Sequence, residues 1–458
     1  MTGAPTSTSQ TFVLAGGWRT TVFLLVVVFF AWAPSLGGQF HYDDLVNVVM
    51  DPATSDPGAL ASRLANGFRP LLRLSYAADR QLWGFAPAGF LATNMTLHAL
   101  TVLGVAALAR RRVRSEGAVA FAAAIFALQP AHAAAVAWTS GRSTLLATAL
   151  MVGALLAHER WIGSARWLGL SLLALALAVL AKETALVLPA LLLLWEWTRQ
   201  PMTPPREILR RVAPAAVTTA VLAVAAIAMS TRLREILTYS LALSPPSDAL
   251  ATNAAALPIS LTLWWRPWAL SVEQPQVFTA TEMIVGAMAL LAMVVGAVKA
   301  WQARVPEIAL ALLWPIVALL PTHSVFARLD PITEKALYPA WIGPSIALGA
   351  AFGCAPALWP RVRTVLATAT LAALGALCWW RATVWADPAV LWREASVRVP
   401  DSARAWSNRA LAELESGQSA MASESIARAQ AMAPGDERIN DAALAISLAL
   451  PVTQESKR

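Results

Sequence analysis

The chain reads as an all-α protein, a polytopic bundle of membrane-spanning helices followed by a small C-terminal helical domain. Three observations predict this. Of its 458 residues, 57% are hydrophobic and 14% charged, where a soluble domain carries roughly 25% charged residues. The apolar residues fall in blocks rather than at amphipathic spacing: Thr21–Ala33, Ala118–Leu128, Leu168–Ala181, Val212–Met229, Ile284–Val298 and Arg363–Trp380 hold almost no charge. A bilayer offers the backbone no water, so such blocks cross it as helices, and about 20 apolar residues suffice. The third observation is a change at Asp387 to charged, alanine-rich sequence without any block of spanning length.

The net charge of +8 raises the question of nucleic acid, and its distribution answers it. The basic residues sit in short clusters between apolar blocks: Arg110–Arg112 with Arg114; Arg206, Arg210 and Arg211; Lys299 with Arg304; Arg361 with Arg363. Positive residues in short loops mark the cytoplasmic side of a membrane protein. The charge therefore reads as topology, with no nucleic acid as partner. Cys354 and Cys378 both fall in apolar blocks and read as small core hydrophobes, neither a disulfide framework nor a metal knuckle. The first block has the shape of a signal peptide, with Arg19 before it and Ala31-Trp32-Ala33 at its end. Pro34 occupies the place where cleavage would fall and many spans follow, so this block is taken as a retained helix.

Placing the basic clusters inside orders the elements. The first helix runs outward and delivers a loop, Gly37 to about Pro87, to the outer face. The second, about Ala88–Leu108, returns to Arg110. A third reaches the Thr139–Arg142 turn outside, a fourth returns to Glu159–Arg166, and a fifth ends outside near Lys182-Glu183. The sixth comes back near Trp197, the basic loop Arg199–Arg211 follows, and a seventh climbs from Val212. The stretch Leu250–Val277 is apolar but broken by Pro258, Pro267 and Pro275, with Trp264, Trp265 and Trp268 clustered in it. It must start and end outside if Lys299 and Arg304 are cytoplasmic, and it reads as a re-entrant or interfacial segment. Three or four further spans bring the expected total to about eleven. The Pro321–Lys335 loop is then outside, Arg361–Arg363 inside, and the tail emerges outside after Trp380.

These spans make a membrane domain of residues 1–385 and a tail of 386–458. In the tail, Pro400 and Pro434 stand 34 positions apart, the period of the tetratricopeptide repeat. Between them Trp406, Ala410, Gly417, Ala422, Ile426 and Ala429 hold the spacing of that repeat's packing positions; Trp392, Ala395 and Pro400 read as the second half of a preceding unit. The competing interpretation is an unrelated helical hairpin. Such units need neighbours to bury their faces, so the tail is expected to pack on the membrane domain or on a partner protein.

Ionisable residues near membrane helix ends are costly, which makes them functional candidates. Most gather on the outer face. Directly after the first helix come Phe40-His41-Tyr42-Asp43-Asp44 and then Asn47. A carboxylate pair in a loop is commonly a solvated turn or a helix cap. Here it stands where a spanning helix emerges, and a carboxylate held beside cations can take a proton from an attacking hydroxyl. The same loop carries Arg69, Arg73 and Asp79, and the second helix adds Asn94 and His98. Arg69 and Arg73 run against the positive-inside expectation. They either pair with the aspartates or bind an anion such as a lipid phosphate. Further outer candidates are Gln129-Pro130 with His132, the turn ending in Arg142, and Lys182-Glu183, which as a buried ion pair would have no substrate role. The last outer loop adds His323, Arg328, Asp330, Glu334, Lys335 and Tyr338.

Taken in order, these segments resemble a known family. The string is Asp43-Asp44, Arg69-Pro70-Leu71, Leu74-Ser75-Tyr76, Gly89-Phe90 with Asn94 and His98, Pro130-Ala131-His132, Ala137-Trp138, Gly141-Arg142, Leu145-Leu146-Ala147 and Lys182-Glu183-Thr184, with the repeat-like tail after Trp380-Arg381. It is similar to the polytopic glycosyltransferases of the C superfamily (GT-C), in particular the transmembrane-and-tetratricopeptide proteins typified by animal O-mannosyltransferases and their bacterial relatives. The resemblance implies transfer of a sugar from a polyprenyl-phosphate donor to an acceptor hydroxyl or amide of an exported protein or glycan. It places this on the extracytoplasmic side, with Asp43 or Asp44 as catalytic residue; the short loops and compact tail point to a bacterial plasma membrane. Cations at the outer helix ends, among them Arg69, Arg73, His98, His132, Arg142, Lys182, Arg328 and Lys335, would meet the departing phosphate. Glu183, His323, Glu334 and Tyr338 complete the expected substrate site. Gln129 and Ala134 depart from the family pattern, where histidine and an acidic residue are usual, and Ser143-Thr144 replaces its basic-acidic pair. A divalent cation, Mg or Mn, is the cofactor that adjacent carboxylates could help hold. The rival functions are a flippase for lipid-linked glycans, with charges along a path through the membrane, and a non-catalytic assembly protein docking through its tail.

Overall fold

A computed structural model describes residues 10–161, 164–200, 202–275, 278–354 and 360–449. Two ends of the expected tail and loop readings, 450–458 and Val277, lie outside the described residues. Among the described residues every regular element is helical.

The N-terminal helix α1 (Gln10–Trp32) tightens into a 3-10 turn at Ala33–Gly37, where Pro34 cannot donate to the preceding turn. The long loop after it is itself folded: a π-helical turn at Leu45–Val49, then α2 (Pro57–Ala65) and the amphipathic α3 (Pro70–Trp83). Each of these two helices opens on proline, whose fixed φ suits the first helical position. The chain returns through α4 (Pro87–Ala109) and turns into α5 (Glu116–Ala127), capped by Ser115. At Gln129-Pro130 it bends by 51° into the short α6 (Ala133–Val136). Then come α7 (Arg142–His158), α8 (Ala165–Ala181), α9 (Leu188–Arg199), α10 (Pro205–Met229), α11 (Thr231–Leu243), α12 (Pro246–Thr262), α13 (Ala280–Gln302) and α14 (Pro306–Leu319). A second bend, of 49°, joins Glu334–Ala340, which contains α15 (Leu337–Ala340), to α16 (Ile342–Cys354). The last bundle helix is α17 (Pro360–Ala386).

The protein is a multi-pass membrane protein. Among the described residues six helices are long and apolar enough to cross a bilayer, eight if each bent pair is one span. The expected total of about eleven is thus not confirmed. The difference lies in α8, α9 and α14, of 17, 12 and 14 residues. At 1.5 Å per residue these reach about 26, 18 and 21 Å, short of a hydrocarbon core of about 30 Å. Within Leu250–Val277, α12 stays close to one end of the bundle: Asn253 donates to the Ser324 and Phe326 carbonyls, and Ser260 lies 3.5 Å from His323.

The charges separate to the two ends of the bundle. At one end Arg110 pairs with Glu116 (2.9 Å), Arg111 with Glu159 (3.0 Å) and Arg211 with Glu196 (3.0 Å), tying together the ends of α4, α5, α7, α9 and α10. At the other end lie the 37–87 loop, the bends of α5–α6 and α15–α16, and the 321–335 segment. The tail sits at this second end as α18 (Pro388–Arg398), α19 (Ala403–Glu415), α20 (Ser419–Met432) and α21 (Glu437–Ala449). Trp406, Ala410, Ala422, Ile426 and Ala429 share a core with Ile439, Ala442 and Ile446, and Gly417 (φ 75°) makes the left-handed turn between α19 and α20. A second small core, Ala389, Trp392, Ala395, Ala405 and Ala412, packs on Tyr42 and Val272 of the bundle. The tail leans on the membrane domain through that contact.

Candidate active site at the tail-covered end

The two adjacent aspartates point to different neighbours. Tyr42 holds a left-handed backbone (φ 53°) immediately before them, a conformation uncommon for a residue with a Cβ. Asp44 is fully buried and accepts hydrogen bonds from the Ser140 N–H (2.8 Å) and the Ser140 hydroxyl. Ser140 lies in the Thr139–Gly141 turn, whose Gly141 has no room for a Cβ against the carbonyl oxygens of Ala134 and Ala135. Burial raises the Asp44 carboxyl to about 7, against the hydrogen bonds from Ser140 and His41 that favour its charge. Asp44 thus fastens the first loop to the corner before α7. Asp43 is half-buried and lines an open cavity. Burial raises its pKa above the ordinary aspartate value, and the charges of Lys335 and Arg404 oppose that rise.

The cavity is walled by several parts of the chain. Tyr42 and Asp43 come from the first loop and Trp138 from the corner before α7. Glu273 and its neighbours come from the segment after α12. Arg328, Asp330, Thr333, Glu334 and Lys335 come from the segment after α14. Trp385 closes the base, and Trp392 and Arg404 close the side. Arg404 bridges Glu273 at 2.8 Å and Asp330 at 2.6 Å, and Ser402 donates to Glu273 at 3.0 Å. The tail therefore helps to build the cavity wall. Lys335 lies over the Trp138 ring at 4.6 Å. Among the described residues neither Lys335 nor Arg328 forms a close ion pair; carboxylates act on them only at longer range, Asp43 and Asp330 on Lys335, Asp330 and Glu183 on Arg328.

Lys335 also lines a second, more apolar cavity with Lys182, Thr144, Thr184, Thr322, Met151, Val187 and Leu191. Lys182 donates to the Thr144 hydroxyl at 2.7 Å. Arg69, the other non-glycine residue of this end with a left-handed backbone (φ 50°), forks onto both oxygens of Glu183. That pairing offsets its charge.

Several expected site residues stand elsewhere. Arg73 donates to Asp51 (2.7 Å) and to the Asn47 carbonyl (3.2 Å), bracing the π-helical turn of the loop rather than reaching a ligand. Arg142 is fully buried: it pairs with Asp79 and donates to Asn94 (2.9 Å) and the Phe90 carbonyl (2.7 Å). His98 lies 2.7 Å from the Tyr338 hydroxyl inside the bundle, and the His132 ring packs 4.5 Å from the Tyr338 ring. His323 lies 2.9 Å from the Thr322 hydroxyl and is buried against α12. Arg73, Arg142, His98, His132, Tyr338 and His323 thus hold the scaffold and line neither cavity. Sequence reasoning passed over Glu273, Trp385, Trp392 and Arg404. Glu273 lies in the tryptophan-rich stretch that reads as re-entrant or interfacial, and Trp392 and Arg404 belong to a tail whose packing partner the sequence leaves open between the membrane domain and another protein. Among the described residues no group of three or more His, Cys, Asp or Glu is placed to hold a metal ion.

No family model matches the chain. Among curated proteins it is similar to protein O-mannosyl-transferase Tmtc2 of Drosophila melanogaster, 32% identical over 190 residues, 36% of this chain and 20% of that protein. It is also similar to protein O-mannosyl-transferase Tmtc1 of the same fly, 33% over 177 residues, 35% of this chain and 20% of that protein. The TMTC1 protein O-mannosyl-transferase of Mus musculus is 29% identical over 190 residues, with 35% and 20% covered. The chain spans about a fifth of the length of these relatives. Among solved structures, the crystal structure of ArnT from Cupriavidus metallidurans bound to undecaprenyl phosphate covers 96% of this chain and 78% of that one, at TM-score 0.45 and 15% identity.

Proposed function

We propose that the chain is a membrane glycosyltransferase that moves a sugar from a polyprenyl-phosphate donor to an acceptor hydroxyl on the extracytoplasmic face. The observation that carries this is one cavity holding the Asp43 carboxylate together with two cations, Lys335 and Arg328, that form no close ion pair among the described residues. Similarity to the O-mannosyl-transferases over a third of the chain supports the same reaction class. The acceptor oxygen attacks the anomeric carbon while its proton passes to Asp43. On the opposite face the bond from that carbon to the phosphate oxygen breaks, and its electron pair leaves on the lipid phosphate. Configuration at the anomeric carbon inverts. Lys335 and Arg328 meet the charge that develops on the departing phosphate, where preorganised cations act most strongly. Lys335 belongs to both cavities; the apolar one, with Lys182 at its wall, suits the first isoprene units behind that phosphate.

The tail, which we take as a tetratricopeptide-like unit, faces the acceptor through Trp392 and Arg404 and offers its outer helices to a protein partner. A flippase would need charges along a path through the bundle. Here, among the described residues, the charges that line a cavity lie at one end.

The assay is release of polyprenyl phosphate and appearance of glycosylated acceptor by the purified protein in lipid nanodiscs. Lys335→Ala is expected to lower kcat by about ten- to a thousandfold, with donor binding less affected, because the phosphate charge is greatest in the transition state. An unchanged kcat would exclude Lys335 from that role. The pH profile carries a separate sign. Asp43 accepts a proton only as carboxylate, and its pKa is raised by burial. Transfer should therefore fail on acidification at a higher pH than an ordinary aspartate allows. Lys335 is the foremost charge holding that pKa down, so Lys335→Ala should move the acid limb of kcat/KM further up. An acid limb that stays put in the variant separates Asp43 from the titrating group.

A further inference from the structure

The cavity has a second side, which the transfer chemistry above leaves unused. Glu334 lines it, is 3% exposed, and among the described residues neither carboxylate oxygen has a hydrogen bond of good geometry, the Ser271 N–H being the one backbone donor that acts on it. The cation that acts on it most strongly is Arg381, whose side-chain hydrogen bonds go to Glu394. Three further lining residues carry buried polar atoms in the same condition: the indole nitrogens of Trp138 and Trp385 and the hydroxyl of Thr333. The two tryptophan rings lie 5.7 Å apart, and Trp392 and Tyr42 extend the aromatic wall.

Leaving a buried carboxylate short of donors is costly, and proteins avoid it unless something else supplies the rest. Several acceptor positions on one carboxylate, indole N–H donors and flat apolar faces together suit a ring bearing many hydroxyls. They do not suit a phosphate, which a carboxylate repels, nor a hydrocarbon chain, which offers nothing to the polar atoms.

We propose that Glu334 accepts hydrogen bonds from the hydroxyls of the transferred sugar ring, seated against Trp138 and Trp385, and so selects which sugar the protein moves. The inference rests on the transferase reading. Glu334 and Lys335 are neighbours in the chain, as a ring and its attached phosphate require. The cavity is thereby divided, with a carbohydrate side at Glu334 and an anionic leaving-group side at Lys335 and Arg328.

The test uses the full-length protein in nanodiscs with undecaprenyl-phosphate hexoses as donors. For the hexose that is transferred best, its four monodeoxy forms are compared. Wild type should lose about ten- to a hundredfold in kcat/KM for the form lacking the hydroxyl bound by Glu334. Glu334→Ala should lose a similar factor on the parent donor and no longer distinguish that deoxy form from it. Glu334→Gln, which keeps one acceptor oxygen and the side-chain volume, should fall between the two with the acid limb of its pH profile unmoved; it also serves if the alanine variant does not fold. Equal discrimination by Glu334→Ala and wild type overturns the sugar contact while the transferase reading stands. So does a wild type indifferent to all four deoxy forms. A protein that turns over none of the hexose donors overturns the transferase reading, and the sugar contact with it.

Discussion

Asp43→Asn is expected to reduce sugar transfer by about a hundred- to ten-thousandfold while leaving the melting temperature close to wild type. The magnitude is that of a positioned general base. The amide occupies the same volume at the cavity rim but cannot take the acceptor's proton. Donor binding should persist, because the cations that hold the phosphate are untouched. Asp44 gives the contrasting result. Its carboxylate accepts both the N–H and the hydroxyl of Ser140, so Asp44→Ala strands a buried donor at a cost of about 1–3 kcal/mol. Its loss should appear first as a lower melting temperature. Activity retained in Asp43→Asn, or abolished in Asp44→Asn with the fold intact, would reverse the assignment of the two carboxylates.

Arg142→Ala is expected to be among the most destabilising single changes in the chain, by about 3–5 kcal/mol. The guanidinium is fully buried, pairs with Asp79, and donates to Asn94 and the Phe90 carbonyl. Its removal leaves Asp79 charged and uncompensated where α3, α4 and α7 meet. Lysine should not rescue it, because a single ammonium cannot reproduce the planar fork that serves several acceptors at once. Replacing both partners, as Arg142→Met with Asp79→Asn, should recover part of the loss, since no lone charge then remains buried. Thermal unfolding of the purified variants reads this directly. A double variant no more stable than Arg142→Ala would show that the hydrogen bonds to Asn94 and Phe90, rather than the ion pair, hold the corner.

Much of the architecture was legible in the sequence because it follows from hydropathy and local charge. Blocks of apolar residues must become helices in a bilayer, and the Arg110–Arg112 and Arg199–Arg211 clusters do lie together at one end of the bundle. The Asp43-Asp44 pair and the Arg328–Lys335 segment were recognisable as charges at the opposite end, and Asp43 meets that segment in the cavity. The expected spans at α8, α9 and α14 are helices of 17, 12 and 14 residues, since hydropathy reports apolarity and not where a helix stops.

Which carboxylate faces the cavity was beyond the sequence, because Asp43 and Asp44 differ only in their order along the chain. The backbone at Tyr42 and the arrival of Ser140, 96 residues after Asp44, separate them. The arginines show the same division. Arg69, Arg142 and Arg404 are chemically identical, yet each is defined by a distant carboxylate: Glu183, Asp79, and Glu273 with Asp330. Local sequence determined that charges would gather at the helix ends, since burial of an unpaired ion in the bilayer is prohibitive. Only the tertiary packing of those ends decided which charges neutralise one another and which stay free to meet a ligand.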